Sequence, residues 1–398
     1  MKVLFIGTTD ILGGAAKISW TLKNALEEKG DSPSMFVADK RSDDENVKTI
    51  PRQKWRKILG YLLATDGLTN TDWVLKTPEF KNADIVHCHN LHGRFFNLKT
   101  LKKMSKIKPV IWTLHDEWAI TPHCACTLEG SEMKHGLFVC PSKKTEPKIL
   151  WDNTKKIARD KIEIYSHSNF NVVTPSLWLQ ERVRKTALGT HPLHHIPNGI
   201  DTKTFSKTNR NTARTELGLP LDKKIILFVA DGGKDNPWKG WPYAEKMISL
   251  LNDREDVLFL NVGKMTPEIL KENNVEYRPR VSDQSQLALY YSAADVLLFT
   301  SIAENFPLVI LEAMSCGLPI VSFDVGGVKE VLVHKENGYI ANYRDDQDLE
   351  RGLQWALSLS QEEKEMLANK SIEKIRTQYD TSIMTTNYME LYNKVLSK

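Results

Sequence analysis

No apolar run in this 398-residue chain approaches the ~20 residues that a membrane-spanning helix needs, which excludes an integral helical membrane protein. The first apolar run, residues 3–7, is too short for the core of a secretory signal, and polar Thr8-Thr9-Asp10 follows it. It reads instead as a buried strand. Cysteine is scarce and odd in number, five in all. That argues against a disulfide framework and makes a reducing cytoplasm the default. Charge of either sign is in small excess: 54 basic against 50 acidic residues leave +4, which gives no reason to expect nucleic acid as a partner. The G-x-G-x-x-G of a dinucleotide fold is missing after the first strand, and neither short repeats nor low-complexity segments occur. What remains is ordinary globular composition, 41% apolar and 26% charged, enough to fill two cores. At roughly 150 residues per domain the length fits two or three domains.

Short apolar runs alternate with helical periodicity along the whole chain. Strands are expected at 3–7, 35–38, 84–89, 110–115 and 171–174, with a helix over 15–29 that Gly30 ends. The pattern breaks near His195-Ile196-Pro197-Asn198-Gly199 and a polar stretch follows. A second series then begins, with strands at 224–230, 257–262, 296–300 and 320–323 and helices at 241–251, 284–293 and 308–315. Buried runs alternating with helices indicate parallel sheets covered on both faces. The expected organisation is α/β: an acceptor-side Rossmann-like domain over 1–195 and a second Rossmann-like domain over 196–377. A terminal helix, about 378–398, packs back on the first.

Open parallel sheets bind ligands beyond the carboxyl ends of their strands, so residues just after strands carry most weight. Gly13-Gly14 lies after the first strand and before a helix, where bare backbone can approach a phosphate. A tight turn without ligand would use the same residues. The segment 301–319 is more specific. Glu304 precedes a helix, Pro307 stands at its expected first position, and Glu312 follows two turns on, near the same side. Two such carboxylates can accept hydrogen bonds from vicinal hydroxyls, as on a sugar ring, while the helix start suits an anion.

Residues 303–319, with Ile320-Val321-Ser322-Phe323-Asp324-Val325-Gly326-Gly327, resemble the donor-binding signature of retaining glycosyltransferases of family 4, whose two glutamates are separated by seven residues. The likeness extends to Gly13-Gly14-Ala15-Ala16, Asp84-Ile85-Val86-His87, Val173-Thr174-Pro175-Ser176, Ile196 to Asp201, Trp238-Lys239-Gly240 and Ala294-Asp295-Val296. It implies the GT-B fold, two doubly wound domains facing across a cleft. It also implies transfer of a hexose-type sugar from a nucleotide-diphosphate sugar to a glycan or lipid-linked acceptor, in surface polysaccharide biosynthesis. Carried over by position, Glu304 contacts the donor sugar, aided by the backbone of Asn305, Phe306 and Leu308. Glu312 holds the ribose, Lys239 neutralises the diphosphate, and Gly13 and Gly14 let the backbone close over it. His115, in Thr113-Leu114-His115-Asp116, matches the histidine that faces the donor sugar, and Asn198 lies at the interdomain turn. Configuration is retained by front-face attack, and no metal or other cofactor is required for transfer.

The sequence departs from the family pattern at two places. Ala230-Asp231-Gly232-Gly233-Lys234 stands where many members carry an arginine, and Lys234 cannot copy a bidentate clamp. Pro307 replaces a common glycine and removes one backbone donor.

Two further features admit alternatives. Cys124, Cys126, His135 and Cys140 have spacings that could hold a structural zinc, although a packed loop with free thiols is the leading expectation. Trp55, Ile58, Leu59, Leu62 and Leu63 form one helical stripe behind Arg52, Lys54, Arg56 and Lys57. That stripe either fills the first domain's core, the default, or rests as a peripheral contact on the anionic inner face of the cell membrane. Other functional classes remain: a GT-B sugar-nucleotide epimerase, a silent sugar-nucleotide-binding module, and a nicotinamide-dependent oxidoreductase using Asp39 for the ribose. The last leaves Glu304, Glu312 and Lys239 without a task.

Overall fold

The computed structural model describes residues 1–51, 54–65, 67–230, 235–263 and 274–397. Arg52 and the stretch Asp231 to Lys234, both weighed above, lie outside them. The chain divides into two compact units, Met1–Asn198 with Met384–Lys398, and Gly199–Ile383.

The first unit contains β1 (Val3–Thr9), β2 (Ser34–Asp39), β3 (Val47–Thr49), β4 (Ile85–Cys88), β5 (Val110–Thr113), a hairpin of β6 (Met133–Lys134) and β7 (Leu137–Phe138), β8 (Asn171–Thr174) and β9 (Leu193–His195). Seven of these form one sheet in the order β3-β2-β1-β4-β5-β8-β9, parallel throughout. The second unit contains β10 (Lys224–Ala230), β11 (Val257–Gly263), β12 (Val275–Arg278), β13 (Val296–Phe299), β14 (Ile320–Phe323) and β15 (Tyr339–Ala341). They form a six-stranded sheet, β12-β11-β10-β13-β14-β15, also parallel. The central strands are buried on both faces because helices cover both. In β10, Ile225 and Leu227 enter one core while Ile226 and Phe228 enter the core on the opposite face.

Each sheet has one point where the strand order reverses. In the first it lies between β1 and β4, in the second between β10 and β13. Crossovers leave in opposite directions there, so the loops part and open a crevice above the strand ends.

The terminal segment forms two helices, Gln361–Gln378 and Thr381–Leu396, the first opened by a capping box of Ser360 and Glu363. Tyr388 and Tyr392 of the second are fully buried in the first unit, where their hydroxyls meet Thr113 (3.0 Å) and His87 (2.6 Å).

Two expectations are corrected. Cys124 and Cys140 form a disulfide, so the loop is not one of free thiols, and the odd cysteine count concealed a pair. Two of the three sulfurs of the suggested zinc set are thereby bonded to each other, and Cys126 stands outside the bond. His135 is exposed at φ 55°, and no group of three or more metal-type side chains assembles among the described residues. The helix Lys54–Leu62 does form, but its stripe does not fill the core: Trp55 is 59% exposed, Ile58 61%, and Leu62 and Leu63 each 46%. Among the described residues no helix is long and apolar enough to cross a membrane.

Candidate active site

In the second unit the candidate side chains Lys239 and Glu304 gather beyond β10 and β13, at the strand reversal. Asn236 caps the short 3-10 helix Pro237–Lys239, and Gly240 ends it in the left-handed conformation, φ 64°. From there the chain turns directly into the helix Trp241–Leu250. The Trp238-Lys239-Gly240 segment is fastened to the loop after β13 by two hydrogen bonds. Thr300 Oγ1 donates to the Lys239 carbonyl (2.8 Å), and the Ile302 amide donates to that of Trp238 (2.8 Å). A side chain at Gly240 would run into the Thr300 carbonyl, so only glycine allows this approach. Lys239 Nζ thereby comes within 2.6 Å of Glu304 Oε1, a partly buried ion pair.

Glu304 is supported from behind as well. Gly326, at φ 56°, lies where any Cβ would strike the Glu304 carbonyl, and the Gly327 amide donates to the Asn305 carbonyl (2.8 Å). Tyr343 donates its hydroxyl to the Ile302 carbonyl (2.9 Å). The loop 300–305 is thus held by segments that follow β10, β14 and β15. Phe306 packs into the core against Tyr379, ring centroids 5.7 Å apart; Leu308 is half-buried. The helix that follows is Leu308–Ser315, with Pro307 as its N-cap rather than its first residue. A proline there lacks a capping side chain, so the first-turn N–H groups keep their polarity.

Glu312 does not share the surroundings of Glu304. It is 3% exposed, and Tyr291 donates its hydroxyl to Glu312 Oε2 (2.8 Å). The two carboxylates have different partners: Glu304 pairs with a lysine at the loop, and Glu312 accepts from a tyrosine of the neighbouring helix. Burial and the carboxylate push the Tyr291 phenol well above its ordinary value, so it remains a donor. Sequence reading passed over Tyr291, whose only signal was its place on the helix 284–293.

In the first unit Gly13 and Gly14 follow β1, and Gly13 caps the helix Gly14–Glu28 at φ 93°. Buried Asp10 holds this loop to the one after β2, accepting from the amides of Ile11 (3.0 Å), Arg41 (2.9 Å) and Ser42 (2.8 Å). His115 lies two residues beyond β5, with Nε2 2.8 Å from Nδ1 of His89, which directly follows β4. Asp116 pairs with His92 (3.0 Å). Burial would raise its pKa, but the His92 charge, with hydrogen bonds, holds it below the ordinary value. Asn198 is buried at the end of the first unit.

Burial pushes His87 down to about 3 and His115 to about 4, and drives His89 well below its ordinary value. All three rings are therefore neutral at pH 7. An unfolded chain protonates them near 6.5, so it binds more protons than the native state below that pH. Native stability is complete above about pH 6.5 and falls as pH decreases toward 4, by up to about 4 kcal/mol per pH unit for three such groups. Melting temperature should therefore decline between pH 6.5 and 5, above the carboxylate range. A flat profile over that interval would contradict the neutral cluster.

Comparisons with known proteins agree with this geometry. Residues 12–204 match the profile of Glycosyltransferase Family 4, and residues 209–374 that of Glycosyl transferases group 1. A protein of Escherichia coli (strain K12) assigned to colanic acid biosynthesis as a glycosyl transferase, WcaC, is 26% identical over 259 residues. That match spans 62% of this chain and 62% of the relative's length. Among solved structures, sucrose-phosphate synthase from Thermosynechococcus elongatus superposes with a TM-score of 0.70 at 19% identity, covering 100% of this chain and 99% of that one. HepE of Anabaena, solved in complex with UDP-glucose, gives a TM-score of 0.67 at 17% identity, covering 99% of this chain and all of the other. With both halves of the chain matched and two parallel sheets arranged as above, the protein belongs to glycosyltransferase family 4 and has the GT-B fold.

Proposed function

We propose that the protein transfers a hexose-type sugar, with retention, from a nucleoside-diphosphate sugar to a glycan or lipid-linked acceptor in surface polysaccharide biosynthesis. The observation that carries this reading is the Lys239–Glu304 pair at the strand reversal between β10 and β13, a cation beside a hydroxyl acceptor. In glycosyl transfer, negative charge grows on the leaving diphosphate while positive charge grows on the sugar ring. Lys239 and the helix start at Leu308 answer the first, and Glu304 the second. His115 is assigned to the sugar hydroxyls, Glu312 with Tyr291 to the ribose, and Gly13 and Gly14 to the diphosphate. Because Glu304 is engaged by Lys239, we give it a stabilising role and not that of a covalent nucleophile. The leaving phosphate oxygen then takes the acceptor's proton as attack proceeds on the same face. HepE's complex with UDP-glucose and the colanic acid assignment of WcaC support the donor and product classes. The nicotinamide reading leaves the Lys239–Glu304 pair without a task, and the G-x-G-x-x-G it needs is missing.

A thermal-shift screen tests the donor. A nucleoside-diphosphate sugar at about 100 times its Kd should stabilise the native state by about 2.7 kcal/mol. Stabilisation by a nicotinamide dinucleotide and by none of the nucleotide sugars would end this reading.

The exposed stripe on Lys54–Leu62 supports a peripheral, cytoplasmic-face contact with anionic lipid. Trp151, itself 47% exposed, extends the stripe by donating its indole N–H to the Leu62 carbonyl (2.9 Å). Trp55 and Trp151 supply amphipathic rings suited to the headgroup level, and Arg56 lies beside Trp55, 5.1 Å from the ring centroid. Vesicles containing anionic lipid should carry the protein upward in flotation, with binding lost in high salt and in Trp55→Ser/Ile58→Ser. Equal flotation with neutral vesicles, or none with either, would refute the contact.

A further inference from the structure

Three histidine rings touch one another at the ends of β4 and β5. His87 and His89 lie 4.3 Å apart between centroids, and His89 and His115 5.1 Å apart, nearly coplanar at 13°. His87 is satisfied at both nitrogens, by Tyr392 (2.6 Å) and by Thr113 (2.8 Å), and its part is structural. His89 is different. Its amide donates to the Ile6 carbonyl (2.8 Å), its carbonyl accepts from the Trp112 indole (3.0 Å), and it is 1% exposed, so the ring has no freedom to swing. Its Nδ1 meets His115 Nε2 at 2.8 Å, whereas its Nε2 is buried without a hydrogen-bond partner among the described residues.

That orphan decides where the proton lies. Two neutral imidazoles at this distance share one proton, and either ring can donate it. If His115 donated, His89 would carry its own hydrogen on Nε2, as a buried N–H with no acceptor. Folded proteins avoid this arrangement most consistently. If His89 donates from Nδ1, only a bare lone pair is left at Nε2, and His115 must carry its hydrogen on Nδ1.

We propose that His89 is a positioning residue that fixes His115 as the Nδ1–H tautomer, a neutral ring offering its ligand a donor and no acceptor. The inference rests on the reading above in one respect, that His115 meets the donor sugar. Its consequence is a rule for that ligand: the atom facing His115 must accept a hydrogen bond, as a sugar hydroxyl or carbonyl oxygen does. A deoxy sugar lacking that oxygen would leave the ring's N–H unmet.

Nitrogen-15 NMR of histidine-labelled protein distinguishes the tautomers directly. The His115 signals are identified by their loss in His115→Ala. Wild-type protein at pH 7 should show His115 protonated on Nδ1, although imidazole side chains in water favour Nε2–H. His89→Phe keeps an aromatic ring but cannot donate, and should return His115 to the Nε2–H form. His89→Gln can donate through its amide and should retain Nδ1–H. In sugar transfer, His89→Phe should lose about tenfold in kcat, the worth of one neutral hydrogen bond, and His89→Gln should recover most of it. A wild-type His115 protonated on Nε2, or an Nδ1–H form that persists in His89→Phe, would overturn the proposal. Should His89→Phe fail to fold, the wild-type spectrum and His89→Gln still decide it. If the spectra agree but His115→Ala transfers sugar at the wild-type rate, the tautomer assignment stands and the role given to His115 falls.

Discussion

Replacing Lys239 by alanine should lower the rate of sugar transfer by about 10²–10³-fold, the scale of losing one preorganised electrostatic contact to a transition state. Glu304→Gln should cost a similar factor, because the amide keeps an acceptor oxygen but not the charge that answers the cationic ring. The two variants should part company in binding. Lys239 and Glu304 lie 2.6 Å apart, so the diphosphate competes with Glu304 for the same ammonium. Glu304→Gln weakens that competition and should bind free nucleoside diphosphate at least as tightly as wild type, while transferring sugar slowly. Lys239→Ala should lose both. Because the residues act on one ligand and on each other, the double variant should cost much less than the product of the single effects. Neither change should unfold the protein, since a partly exposed pair contributes only about 0–1 kcal/mol. Nucleotide affinity measured by calorimetry, beside single-turnover transfer, separates these outcomes. Unchanged transfer in both variants would remove the pair from the active site.

The positions of most candidate site residues were legible in the sequence, because those residues follow central strands whose apolar runs are easy to see. Lys239 and Glu304 were assigned to neighbouring parts of one donor, and they meet directly. What escaped lies at edges and in long-range pairings. β3, β9 and β15 have only three residues each and stand at or beside sheet edges, too short for a periodic signal. The Cys124–Cys140 bond spans 16 positions inside an irregular loop, where spacing cannot distinguish a disulfide from a metal set. Tyr291 reaches Glu312 from another helix, 21 positions away, and no local pattern announces such a contact. The stripe Trp55 to Leu63 has faultless helical spacing, but periodicity reports that a face is apolar and not what covers it. The histidine cluster was half visible: His115 stood out at a strand end, whereas His89 acquired its meaning only from a ring nitrogen left without a partner among the described residues.

The largest loss without any change of a polar group is expected at Gly240. Its φ of 64° alone would cost an alanine about 1–2 kcal/mol. Gly218 at φ 66° caps the helix Arg210–Leu217 in the same conformation, with open space where a Cβ would stand. Gly218→Ala in the same unit therefore measures the conformational cost by itself. At Gly240 the added carbon also meets the Thr300 carbonyl, which is backbone and cannot rotate aside, and Gly326→Ala meets the Glu304 carbonyl in the same way. Both collisions fall on the loop 300–305, one from each side, so relief requires moving the segment that presents Glu304. The total cost should reach about 3 kcal/mol or more for Gly240→Ala and Gly326→Ala, against the lesser strain in Gly218→Ala. Activity should diverge further, since a displacement of ~1 Å at a reacting group costs about 10²-fold in rate. Gly218→Ala should melt slightly lower and transfer sugar normally, while the other two should lose transfer even at temperatures where they remain folded. Equal melting temperatures for Gly218→Ala and Gly240→Ala, with transfer intact in both, would show that the loop does not need the close approach on which Glu304 depends.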